Sequence, residues 1–120
     1  MKLEQAVPIL RIFDEEKACS FYLDYLGFIK DWEYRHEAHL PLFMQISNDD
    51  CKLYLSEHHG DGTPGSKLRI ECHELNEYLK LLQSKDYSFS NPHIVLQKWG
   101  DSEMHIKDPF GNELIFYESK

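Results

Sequence analysis

Cysteine is scarce in this 120-residue chain: Cys19, Cys51 and Cys72 are widely spaced and include no CxxC pair. An odd count at such spacing offers neither a disulfide framework nor a paired-thiol zinc or redox site, so reduced, partly buried thiols are expected. Positive charge is also thin. The 13 Lys and Arg stand against 21 Asp and Glu, a formal charge of −8 with the seven histidines neutral, and a partner held through phosphates needs the opposite balance. Nucleic acid is therefore not an expected partner; an acidic surface would instead attract small cations by long-range steering. No apolar run approaches the roughly 18 residues of a membrane span. The opening Met1 to Gln5 reaches its first apolar stretch at Ala6, and that stretch is only a strand long, so it does not read as a signal peptide. A cytoplasmic protein without a membrane partner is the expectation.

What is present suits one globular domain, with hydrophobic residues at 42% and charged residues at 28%. Ala6 to Ile12 is apolar and partly β-branched and stops before Asp14, a good N-cap, so a strand and then a helix are read. Ala18, Phe21, Tyr22, Tyr25 and Leu26 form an amphipathic stripe that Gly27 ends. Extended segments follow at Phe28 to Arg35, Leu42 to Ser47 and Lys52 to Ser56, with Asn48-Asp49-Asp50 as the turn between the last two. Residues 57–66, with three of the six glycines, divide the chain. Beyond them the order repeats: an extended run at Lys67 to Cys72, then a helical stripe at Leu75, Tyr78, Leu79 and Leu82. Three more extended segments complete it at His93 to Leu96, Glu103 to Lys107 and Glu113 to Glu118, the last two joined by Asp108-Pro109-Phe110-Gly111-Asn112. The expected fold class is α+β: a single domain of two tandem βαβββ modules (1–56 and 67–120) with curved mixed sheets, paired within the chain or between chains.

Two stretches carry a resemblance. RIFDEEKACSFYLDYLGF (Arg11 to Phe28) and WGDSEMHIKDPFGNELIF (Trp99 to Phe116) resemble the opening and closing signatures of the glyoxalase/bleomycin resistance/dioxygenase (vicinal oxygen chelate) superfamily. The Trp-Gly pair ahead of Asp108 most resembles the bleomycin resistance proteins. Metalloenzymes of that superfamily take His or Glu ligands from four strand positions, and the resemblance places these on Val7, Tyr54, Lys67 and Ile115. Val and Ile offer no donor atom and a lysine ammonium repels a cation. The reading therefore moves away from enzyme chemistry: no metal, no cofactor and no catalytic residue is expected. The histidines offer no displaced metal site, because adjacent residues of the Glu57-His58-His59 run point in opposite directions and give at most two donors to one centre, and solvated loop histidines are the simpler reading.

Aromatic residues stand where the resemblance implies ligand contacts. Trp32 matches a position at which bleomycin resistance proteins carry an aromatic residue against the drug's flat rings, and Trp99 is the second such position. Phe43 and Tyr54 are candidates for the same wall, and alternation along the seventh strand separates Glu103, His105 and Lys107 from Met104 and Ile106, so that one set should face the cleft, with Glu103 and His105 the candidate contacts. Stacking contributes about 0.5–1.5 kcal/mol per pair beyond area burial. Glu33, Asp61 and Glu103 are candidate acids for a cationic tail. The function expected is that of a binding protein, a homodimer that sequesters a bleomycin-like, cationic aromatic antibiotic without modifying it. The alternative is a metal-dependent enzyme of the same fold acting on a small oxygenated metabolite.

Overall fold

Asp14 takes extended backbone (φ −153°, ψ 116°) and its carboxylate accepts from the Lys17 amide at 3.0 Å, which makes it the N-cap that the sequence suggests. In the computed structural model, which describes residues 1–120, the helix it opens has two parts. These are α1 (Glu15–Cys19) and a π-helical continuation (Ser20–Tyr25). Ala18, Phe21, Tyr22, Tyr25 and Leu26 are all buried, the stripe that periodicity implies. Phe21 meets Tyr22 edge to face with centroids 4.8 Å apart, and Tyr22 meets Phe28 likewise at 6.5 Å. Gly27 ends the helix at φ 87°, and the Phe28 amide then reaches the Tyr22 carbonyl at 2.9 Å. That closure spans one residue more than an ordinary Schellman motif, as the wider coil requires.

The backbone divides into two units, Met1–Pro64 and Gly65–Lys120. In the first, β1 (Ile9–Arg11), β2 (Ile29–Tyr34), β3 (Phe43–Asn48) and β4 (Cys51–Ser56) form one sheet in the order β1-β4-β3-β2. β1 runs parallel to β4 and the other pairs are antiparallel. The first strand is shorter than the apolar run of Ala6 to Ile12 because Pro8 has no N–H for the ladder, although its carbonyl accepts from the Tyr54 amide at 2.9 Å. Leu10, Met44, Ile46, Leu53 and Leu55 are buried and, with the helix stripe, make up the core of this unit. Phe43, Gln45, Ser47, Lys52 and Tyr54 alternate onto the other, open face. The loop after β4 lies on β1 at Gly62 (φ 69°), where a Cβ would stand 2.7 Å from the Ile9 carbonyl oxygen; only glycine fits there.

The second unit repeats the plan with β5 (Lys67–Glu71), α2 (Leu75–Gln83), β6 (Ile94–Leu96), β7 (Ser102–Lys107) and β8 (Glu113–Glu118). Its sheet order is β5-β8-β7-β6, with β5 parallel to β8. Both units thus run β-α-β-β-β, the α+β architecture expected. Leu75, Leu82, Met104, Ile106, Leu114 and Phe116 are buried. α2 has no cap of its own, since Glu74 sits in left-handed backbone (φ 60°, ψ 51°) with no side-chain bond. Glu118 of β8 supplies it instead, accepting from the amides of Glu74 at 2.9 Å and Leu75 at 3.2 Å, and these bonds hold its carboxyl below the usual range. The turn from β7 to β8 is built by two polar side chains. Asp108 Oδ1 accepts from the amides of Phe110 and Asn112 at 2.8 Å each, while Asn112 Oδ1 accepts from the Ser66 amide at 3.2 Å and so ties the start of β8 to the start of β5. No helix is long and apolar enough to cross a membrane.

Candidate functional site

A bulge decides what the open face of the first unit carries. Tyr34 pairs with Phe43 and Trp32 with Gln45, but the register shifts before Lys30, which pairs with Ile46. The extra residue lets Asp31 and Trp32 both reach the side of Gln45 and Ser47, where simple alternation would separate them. Trp32 stacks on Phe43 with centroids 5.9 Å apart and planes inclined at 24°. Tyr54 closes the triangle at 5.8 Å from Trp32 and 5.1 Å from Phe43. Three strands thus contribute one ring each. Trp32 is 43% exposed, whereas Phe43 and Tyr54 are half-buried, so the cluster is held from below and open above.

Polar groups frame these rings. Asp31 Oδ2 accepts from Gln45 Nε2 and its Oδ1 from Ser47 Oγ, each at 3.0 Å. On the β4 side the His58 ring meets Phe43 edge to face at 6.5 Å. His58 is fixed by its backbone, its amide donating to Ser56 Oγ at 3.1 Å and its carbonyl accepting from Arg11 Nη1 at 2.8 Å. Ser56 Oγ in turn donates to Asp61 Oδ2 at 2.9 Å. The face offers a flat π surface with a carboxylate at one side and an imidazole at the other.

The corresponding face of the second unit is ionic. Glu103, 4% exposed, accepts from Arg69 and lies 2.8 Å from His105 Nε2. His105 Nδ1 is 3.1 Å from Glu113, whose carboxylate also meets Lys67 Nζ at 3.6 Å. The Arg69 guanidinium lies 4.2 Å from the centroid of the Tyr117 ring. Arg69 first and His105 second hold the Glu103 carboxyl below its usual range. A carboxylate whose folded value is depressed adds stability above the unfolded value of about 4.3, and that stability is lost as pH falls through the folded value. Urea midpoints should therefore drop as the pH falls below about 5 in the native chain and drop less in Glu103→Gln, which starts lower at pH 7. Equal acid sensitivity in both proteins would remove Glu103 from the account.

Trp32, Phe43 and Tyr54 are brought together on one face. Glu103 and His105 are also neighbours, but in the second unit and engaged with each other. Trp99 lies in the turn between β6 and β7, which the Gln97 amide closes on the Asp101 carbonyl at 2.8 Å, and its indole is 62% exposed. Of the acids read as partners for a cationic tail, Glu33 pairs with Lys30, Asp61 holds Ser56, and Glu103 holds Arg69 and His105. Asp31, Gln45 and His58 are not among the residues that the sequence marks as ligand contacts. Asp31 was concealed by the bulge, and His58 looked like a solvated loop residue because its anchors at Arg11 and Ser56 are not local.

The four positions at which the superfamily implies metal ligands are scattered in role. Val7 precedes β1, Tyr54 belongs to the ring cluster, Lys67 is ion-paired with Glu113, and Ile115 lies in register between Arg69 and His105. These side chains do not fit a divalent cation, which needs imidazole, thiolate or carboxylate donors. No group of three or more His, Cys, Asp or Glu side chains is arranged to hold one elsewhere. The three cysteines form no disulfide, and burial pushes the thiols of Cys19 and Cys51 up, away from the thiolate form.

Comparison with known proteins agrees with the fold. A bleomycin-binding protein in complex with bleomycin superposes with a TM-score of 0.70 at 24% identity, covering 98% of this chain and 100% of that one. The bleomycin resistance determinant encoded on the transposon Tn5 gives 0.73 at 24% identity, covering 98% and 99%. The bleomycin-binding protein of the bleomycin producer Streptomyces verticillus, solved with copper(II)-bleomycin, gives 0.73 at 24% identity, covering 100% and 99%. No curated protein matches the sequence. A family model described as glyoxalase superfamily protein matches residues 1–120, the whole length. The chain belongs to the glyoxalase superfamily.

Proposed function

We propose that this protein binds a flat, cationic heteroaromatic ligand of the bleomycin kind and withholds it from its target without making or breaking a bond. The observation that carries the reading is the triangle of Trp32, Phe43 and Tyr54, three rings of one sheet face within 5.9 Å of one another with the indole open to solvent. A planar ligand laid on that face buries apolar area and gains stacking geometry together. The net charge of −8 supplies attraction at long range, and the similar proteins named above include two solved with bleomycin. A homodimer with two equivalent clefts, located in the cytoplasm, belongs to the same proposal. Trp99, Glu103 and His105 of the second unit are proposed as further contacts.

Titration with metal-free bleomycin tests it, with tryptophan emission as the readout. Quenching should saturate at one drug per chain, and mass spectrometry should recover the drug unaltered. No spectral change up to tens of micromolar drug, or recovery of a drug of changed mass, would refute sequestration.

A further inference from the structure

Asp31 is the carboxylate that the first unit presents beside its rings, and we infer that it selects positively charged ligands for that face. The inference rests on the ring triangle being a binding surface, and it names the chemical class admitted there: a planar ring system bearing a positive charge near its edge.

Three observations support it. The register shift between Lys30 and Trp32 turns Asp31 and the indole to the same face. Both carboxylate oxygens are positioned by neutral donors, Gln45 Nε2 and Ser47 Oγ, each at 3.0 Å, so the group is oriented while its charge stays uncompensated. The cations of its own strand segment are engaged elsewhere: Lys30 with Glu33, and Arg35 with Glu15, Glu33 and Glu57. Lys52 shares the face, opposite Ser47 in the register, and forms no ion pair with Asp31. A carboxylate has about four acceptor sites and Asp31 spends two, which leaves room for a ligand N–H. The negative faces of the indole and phenol rings favour a cation as well. Carboxylate and rings therefore act in the same direction, and both disfavour an anion.

Asp31→Asn keeps the shape and removes the charge, and the side chain is exposed, so the fold should survive. The control is Glu16→Gln, which removes one charge from the exposed side of α1. Proflavine, a planar cation, and 1-anilinonaphthalene-8-sulfonate, an aromatic anion, are titrated alongside metal-free bleomycin at 20 and 300 mM salt. In Asp31→Asn, bleomycin and proflavine should bind about 3- to 10-fold more weakly at low salt, with a smaller salt dependence and a smaller preference over the anion. Glu16→Gln should match the native chain. Unchanged affinity, salt dependence and cation preference in Asp31→Asn would overturn the inference even while bleomycin binds. If bleomycin fails to quench the native chain, the antibiotic reading fails separately, and the proflavine-to-anion ratio of the two variants still decides the role of Asp31.

Discussion

Trp32→Ala should weaken bleomycin binding by about 5- to 150-fold, the effect of losing about 1–3 kcal/mol of ring stacking, and should leave the urea unfolding midpoint nearly unmoved. The indole combines two roles that usually exclude each other. It is oriented, through its stack on Phe43 and its contact with Tyr54, yet it is 43% exposed on the edge strand β2. Orientation makes it ready for a ligand, since little side-chain freedom is left to lose on binding. Exposure means that its removal opens no internal cavity, which is why affinity and stability should part company in this variant. Trp99→Ala measures separately what the second unit adds. Retained affinity in Trp32→Ala would place the ligand elsewhere on the molecule.

Phe21→Ala should act in the opposite sense, costing about 3–5 kcal/mol of stability as a large buried ring is replaced by a methyl group. Domains of ordinary size have only about 5–15 kcal/mol in total, so the variant should unfold at far lower urea. Phe21 is fully buried, lies 4.8 Å from Tyr22 and 5.9 Å from Tyr25, and sits in the π-helical segment that turns these rings inward together. A loss below about 1 kcal/mol, within the range of surface substitutions, would mean that the wider coil relaxes to an ordinary helix and refills the space.

The parts of this fold that were legible in the sequence depend on neighbours in the chain. Asp14 announces a cap, Leu53 and Leu55 announce a strand face, and the stripe from Ala18 to Leu26 announces a helix, because each signal lies within one turn or one pleat. Trp32, Phe43 and Tyr54 were legible as candidates through family resemblance, whereas their meeting depends on the pairing of β2, β3 and β4. What escaped involves longer reach. Glu118 caps α2 from more than forty positions away, and nothing near Glu74 hints at it. Asp31 escaped because one bulged residue reverses the parity by which faces are assigned, and propensities do not reveal a register shift. Alternation along β7 also does not reveal that Arg69 and His105 engage the Glu103 carboxylate, because the Arg69 contact comes from another strand.

The parallel pairing of first and last strands has a consequence for anyone who would cut this protein in half. β1 runs alongside β4 in the same direction, and β5 alongside β8, so the chain leaves each sheet at the end opposite to its entry. In the second module the pairing runs from Lys67 opposite Glu113 to Glu71 opposite Tyr117, a length of about 17 Å, and joining the exit of that module to its own entry needs a tether of about five extended residues. A circularised second half made with a two- or three-residue tether should tear its outer strand from the ladder, while one made with a tether as long as residues 57–66 should close without strain.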